Sequence, residues 1–351
     1  MPVAGDLVIA RQGHFWVGGT RRKSDQGTVA AGHMFVQYQV PRDVRYPYPI
    51  VMVHGGGGQG LDFLATPDGR PGWATFFVRE GYSVYVVDRP GHGRARGATP
   101  DSRVTDQPTV EDVGELLFGS TLTAESHGGS SQWPGPLTTD SEIVDQFFPS
   151  QGPISTDTTS AELEMQRAGS ALMDRIGPAI LLTHSLGGPF GWLVADSRPQ
   201  AVKAIVAIEP AGPPFSEVAP GAGSLSWGIT ASPMQYLPTV ATPSQLRLET
   251  RVAPRPGLSH CLVQSDPAAQ FKNLHRLPVL LVTAERSPSA RFDHGTVDFL
   301  QQAGVAVEHL RLEEVGILGN GHMMMLERNS DDIAMYLAAW LKRIVPSAAT
   351  R

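Results

Sequence analysis

The chain carries a single cysteine, Cys261, among its 351 residues. One thiol can form neither an intrachain disulfide nor a cysteine-based zinc site, so the expected role is a small buried filler. Charge is sparse as well: 18% of residues are Asp, Glu, Lys or Arg, the formal net charge is −6, and neither sign forms a long run. This excludes the basic footprint of a nucleic-acid binder and a polybasic membrane patch, and it favours a small, weakly charged partner. The opening residues, Met1-Pro-Val-Ala-Gly-Asp-Leu7, lack a basic stretch followed by an apolar one, and no apolar run is long enough to span a bilayer. A soluble protein is expected, cytoplasmic, or periplasmic or secreted if a leader has been removed. A homodimer is left open.

Glycine and proline are abundant, with 38 and 29 copies against a combined average share of about 12%. They cluster between short apolar runs, which predicts long, shaped loops. His14–Gly19 and His33–Val40 read as an antiparallel start to a sheet. Pro49–Val53 is a continuous apolar run, the pattern of a strand buried on both faces; Ser83–Asp88, Ala179–His184, Ala204–Ile208 and Pro278–Thr283 read as further strands of the sheet, and Val305–Leu312 as the last strand. Helical segments are expected from Trp73 towards Gly81, at about Ser160–Ile176, at Pro189–Ser197, up to about Ala303, and over Ile333–Ile344 with Ser330 or Asp331 as cap. Two stretches rich in Ser, Thr, Gly and Pro, 98–158 and 211–271, break the alternation, and their aromatic residues suggest a cap over the site. The repeated strand, loop, helix order predicts one α/β domain over 1–351 with a mostly parallel sheet, in which ligands bind beyond the carboxyl ends of the strands.

The stretch Thr183-His184-Ser185-Leu186-Gly187 closes a buried strand and opens a helix. A serine on such a turn needs small neighbours two residues away on each side. Gly187 meets this fully, and Thr183 meets it only in part. A serine hydroxyl also needs a base, and the base needs an acid that stabilises its charged form. His322, in a loop after the last strand, is the best base, whereas His54 and His184 adjoin the site and shape it. Glu209, Glu285 and Asp293 all satisfy the order Ser, acid, His. Glu285 or Asp293 would occupy the more common place. Four glycines, Gly55 to Gly58, follow the strand at Pro49–Val53. Their backbone can approach a ligand closely, and Gly56 or Gly57 together with Leu186 can supply N–H groups to an oxyanion. No Gly-Lys-Ser/Thr follows at the spacing of a phosphate loop. Asp88 and His92 read as ties of the intervening turn.

The order His54-Gly-Gly-Gly-Gly58, Asp88-Arg-Pro-Gly-His-Gly93, Thr183-His-Ser-Leu-Gly187 and a late Gly321-His322 resembles the α/β-hydrolase superfamily. More closely, Thr66–Trp73, Thr183–Gly187, Ala204–Pro210 and Gly319–Met325 look like the bacterial esterase group typified by esterase 713, over a core from about Phe15 to Trp340. The resemblance implies an α/β-hydrolase fold and a Ser-His-Glu triad of Ser185, His322 and Glu209. It also implies hydrolysis of a carboxylic ester, for which no metal or organic cofactor is needed; the aromatic and methionine residues of the insertions, with Met323 to Met325 beside His322, suggest an apolar acyl or alcohol pocket. An amidase or lactonase with the same triad, or a non-catalytic binding homologue, are the alternatives. The group's representative has adjacent cysteines in the oxyanion loop where this chain has Gly56-Gly57. A vicinal disulfide would lock that loop, and it is absent here.

Overall fold

The computed structural model describes residues 6–96, 104–118, 131–218 and 223–346. Its centre is an eight-stranded sheet made of β1 (Ile9–Val17), β2 (Met34–Pro41), β3 (Ile50–Val53), β4 (Val84–Asp88), β5 (Ala179–His184), β6 (Val202–Ile208), β7 (Pro278–Thr283) and β8 (Ala306–Arg311). The spatial order is β1-β2-β4-β3-β5-β6-β7-β8. β1 and β2 pair antiparallel, as do β2 and β4. All other neighbours are parallel. The expected strands are all present. β1 starts earlier than its apolar residues suggested, because at this end of the edge strand Ala10, Arg11 and Gln12 are exposed on both faces.

Successive side chains of a strand point to opposite faces, and the central strands are apolar over most of their length because both faces are covered. Ile50 and Met52 of β3 and Ile180 and Leu182 of β5 join one core cluster. That cluster includes Trp73, Phe76 and Phe77 of α1 (Trp73–Arg79) and Ile333, Leu337, Trp340 and Leu341 of α7 (Ser330–Ile344). Val51, Val53, Ala179 and Leu181 face the other way. There they meet Met165, Ala168 and Leu172 of α4 (Thr158–Ile176), Phe190 and Leu193 of α5 (Gly188–Ser197), and Phe299 and Leu300 of α6 (Asp293–Gln302). Helices therefore cover both faces of the sheet. α4 opens on Asp157, whose carboxylate accepts a hydrogen bond from the Ser160 N–H at 3.0 Å. α7 begins one residue after Asn329, so Ser330 and Asp331 lie in its first turn.

The first insertion contains α2 (Val110–Phe118) and α3 (Glu142–Phe147), and part of it lies outside the described residues. Trp133 and Phe147 of this stretch are buried in the first core cluster, with ring centroids 5.6 Å apart. The second insertion forms two small antiparallel pairs, Leu248–Arg251 with Cys261–Gln264 and Tyr236–Leu237 with Gln270–Phe271. Cys261 is buried there.

Candidate active site

The crossover order places the ends of β5, β6 and β7 side by side, followed by the loop after β8. Ser185 is the first residue after β5 and has φ 51°, the left-handed region that costs a side-chain-bearing residue strain. The crowding that the turn demands is visible at its neighbours. A Cβ on Gly187 would fall 2.5 Å from the carbonyl oxygen of His54, and one on Gly188 would fall 2.7 Å from Pro210 Cβ. Thr183, bulkier than the usual small residue, fits because the facing residue in α5 is Gly191, where a Cβ would lie 3.2 Å from Thr183 Cγ2. Leu186 and Gly187 continue the turn into α5.

Glu209 follows β6 and also has a positive φ, 41°. It is buried, and its Oε2 accepts a hydrogen bond from His322 Nδ1 at 2.6 Å. Its Oε1 accepts from the Ala284 N–H at 2.7 Å, and the Ser287 hydroxyl also donates to Oε2. Of the three acids compatible with the sequence order, this is the one in contact with His322. Glu285 instead accepts from the Gly319 N–H at 2.6 Å, tying down the histidine loop. Asp293 is buried at the start of α6, where Oδ2 accepts from the Thr283 hydroxyl at 2.7 Å. Burial, and then the nearby Glu209 charge, hold its carboxyl well above the usual range.

The loop bearing His322 is fixed on several sides. The Gly321 N–H donates to Glu327 Oε1 at 2.8 Å, and the Arg286 N–H donates to the Asn320 carbonyl at 3.0 Å. His184 Nε2 donates to the His322 carbonyl at 3.0 Å, and the two rings lie 4.5 Å apart. Burial and the neighbouring His322 push the His184 imidazole well below its ordinary range, leaving it neutral. Met323, Met324 and Met325 are fully packed into the first core cluster and do not line a substrate wall.

The glycine loop after β3 is held without a disulfide. Arg89 Nη2 donates to the carbonyls of Gly55 and Gly56 at 2.8 and 2.6 Å, and the Gly152 N–H donates to the Gly57 carbonyl at 2.9 Å. His54 Nδ1 donates to the Gly55 carbonyl at 2.8 Å, while its Nε2 accepts from the Arg89 N–H at 3.1 Å. Those two partners fix a neutral tautomer, in agreement with the lowering of the His54 pKa by burial and by Arg89. Asp88, expected to tie the turn, accepts from the N–H groups of Gly60 and Arg94, each at 2.8 Å. A cavity of about 40 Å³ lies beside Leu186. Ile154, Met165, Pro189 and Val218 form its apolar wall, and its polar part includes Arg89, His92 and Glu162.

The sequence reading placed Ser185, His322, Glu209 and the glycine loop in one region. It missed Arg89, Ser287 and Glu327. Arg89 stood within a motif read only as a turn, and Ser287 carried no local signal.

A doubly wound sheet with a strained serine after its central strand, and a buried carboxylate–imidazole pair beyond the next strands, defines a class of α/β enzyme. Residues 48–228 match the family described as alpha/beta hydrolase fold. A fungal protein named probable secreted lipase phiG, from Fungal sp. (strain ATCC 74256), is 41% identical over 335 residues, which cover 94% of this chain and 89% of that protein. The solved structure of a bacterial esterase superposes with a TM-score of 0.70 at 24% identity, covering 97% of this chain and 98% of the other. The chain belongs to the α/β-hydrolase family. No described helix is long and apolar enough to cross a membrane.

Proposed function

We propose that this chain hydrolyses carboxylic esters through an acyl-enzyme on Ser185, with His322 as base and Glu209 as the acid that orients it. The observation that carries the reading is the buried 2.6 Å contact between His322 Nδ1 and Glu209 Oε2, beside a serine held at positive φ. Donation from Nδ1 to the carboxylate leaves Nε2 as the acceptor for the serine proton. The Ser185 oxygen attacks the ester carbonyl carbon as His322 takes its proton. The negative oxygen that forms is met by the Leu186 N–H at the start of the turn into α5 and by an N–H of Gly56 or Gly57. The intermediate collapses, the C–O bond to the alcohol breaks, and His322 returns the proton to the leaving oxygen. Water then repeats the sequence on the acyl-enzyme. The chain is a carboxylic ester hydrolase, as the name of its 41% identical relative, a secreted lipase, also suggests. The same likeness favours the secreted compartment.

The cavity beside Leu186, with its wall of Ile154, Met165, Pro189 and Val218, suits an apolar acyl or alcohol group. Ile154 comes from the first insertion and Val218 from the second, so we assign the two insertions the role of a cap on a single catalytic domain.

The reading is tested by treating the folded protein with a small fluorophosphonate and locating the adduct by intact mass and peptide mapping. A single adduct on Ser185, lost in Ser185→Ala and strongly slowed in His322→Ala, is the expected result. Well-folded protein that takes up no label would overturn the assignment.

A further inference from the structure

Arg89 is the first residue after β4, and its guanidinium is buried at the wall of the cavity beside Leu186. A buried cation normally meets a carboxylate. Here the donors go elsewhere. Nη2 is bound to the carbonyls of Gly55 and Gly56, Nη1 to Met165 Sδ at 3.4 Å, and Nη2 also lies 3.4 Å from His92 Nε2. Burial draws the guanidinium only to about 10, so it stays charged at neutral pH. Asp62 acts on the cation electrostatically and Nε has no hydrogen-bond partner, so its hydrogen bonds to oxygen go to two successive peptide groups of the glycine loop.

The consequence follows from peptide geometry. In a trans peptide the C=O and the N–H of the next residue point to opposite sides of the chain. A group that gathers the Gly55 and Gly56 carbonyls on one side turns the N–H groups of Gly56 and Gly57 to the other. Neither N–H donates to an acceptor among the described residues. The loop lies against the serine, since a Cβ on Gly55 would come within 2.8 Å of Ser185 Cβ. A hydrogen bond accepted at a carbonyl also polarises the peptide and strengthens the donor at its far end.

We propose that Arg89 is a positioning residue for the oxyanion site, its guanidinium orienting and polarising the two glycine peptides whose N–H groups meet the developing negative oxygen. This rests on the serine-esterase reading above. It assigns Arg89 a role in the transition state that acts through the backbone.

The test compares wild type, Arg89→Met and Arg89→Lys in hydrolysis of p-nitrophenyl butyrate and in inhibition by a trifluoromethyl ketone. The ketone adds to the serine and carries an oxyanion in its adduct. Arg89→Met keeps the apolar stem and removes the donors. It is expected to lower kcat by on the order of 100-fold, near the loss of one oxyanion donor, to weaken the ketone by the same factor, and to leave KM within about twofold. Arg89→Lys, which keeps the charge and one donor group, is expected to recover part of the loss in both readouts.

A folded Arg89→Met with wild-type kcat would overturn the proposal. So would a rise in KM alone, which would make Arg89 a substrate-binding group, or a loss of kcat with unchanged ketone affinity. If Arg89→Met fails to fold, Arg89→Lys decides: parallel losses in kcat and ketone affinity support the role, and wild-type values in both refute it. Fluorophosphonate labelling of wild type separates the two levels. Unlabelled wild type would remove the esterase reading and this role together, whereas labelled, active wild type beside an unaffected Arg89 variant would remove only the role.

Discussion

Glu209→Gln is the substitution whose effect the geometry defines most sharply, because it keeps shape and volume and turns the one atom that meets His322 Nδ1 and the Ser287 hydroxyl from acceptor to donor. The amide oxygen can take the place of Oε1 and still accept from the Ala284 N–H. The amide nitrogen then stands where Oε2 meets His322 Nδ1 at 2.6 Å. Two donors cannot face each other, so the imidazole must present a bare Nδ1 and carry its proton on Nε2. In that tautomer it cannot accept from Ser185. A carboxylate-to-amide change at this position in a triad costs about 10⁴ in kcat, or about 5.4 kcal/mol at 1.36 kcal/mol per tenfold. Steady-state kinetics on p-nitrophenyl butyrate should show that loss in kcat with KM little changed and with an unaltered thermal melt. Asp293→Asn and Glu285→Gln serve as controls, since their carboxylates bind Thr283 and the Gly319 N–H and neither meets His322. Each should stay within about tenfold of wild type, because neither carboxylate touches the reacting groups. A larger loss for Asp293→Asn than for Glu209→Gln would refute the assignment of the acid.

Two further measurements probe the surroundings of the site. A Cβ on Gly57 would lie 1.9 Å from the Gly152 carbonyl oxygen, whereas one on Gly56 meets only Leu186 Cδ1, at 4.0 Å. Gly57→Ala should therefore shift the loop and lower kcat by about 100-fold, and Gly56→Ala should change it by no more than about tenfold; equal effects in the kinetic assay would contradict the loop geometry. Burial raises Glu162 from 4.5 to about 7. The native state therefore retains a proton that the unfolded chain releases, and this contribution to stability is present below pH 4.5 and lost as the pH rises through about 7. Across that window Glu162→Gln should gain about 3 kcal/mol relative to wild type. Urea unfolding of both proteins at pH 4.5 and pH 8 measures the change, and a stability difference independent of pH would rule out the buried, protonated carboxyl.

Much of the fold was legible because the physics that builds it is local. A run such as Ala179-Ile-Leu-Leu-Thr-His184, apolar over its first four residues and followed by a turn with small residues, is consistent with little except a strand buried on both faces, and the structure makes it β5. β1 was read short because an edge strand shows its polar face to water and breaks the apolar signal. The acid was not separable in the sequence, since Glu209, Glu285 and Asp293 all follow strands and precede His322. Which of them reaches the imidazole depends on β6 lying between β5 and β7 and on the left-handed backbone of Glu209. No residue pattern encodes either one directly.

The missing disulfide shows most clearly how the site depends on distant contacts. The cysteine pair of the similar esterase group would stiffen its loop through one covalent bond. Here the loop between Gly55 and Gly60 is held by hydrogen bonds from separate elements: the Arg89 guanidinium, the Gly152 N–H, Ser150 accepting from Gln59, and Asp88 accepting from Gly60. Gly152 and Ser150 belong to the first insertion, so the segment proposed to cap the cavity also grips the loop proposed to hold the oxyanion. Glycine at position 57 is what allows this grip, because a Cβ there would occupy the space of the Gly152 carbonyl. Rigidity that a disulfide would provide within the loop is thus distributed over the end of β4 and the first insertion. A change in the insertion can therefore reach the carbonyl chemistry without touching Ser185.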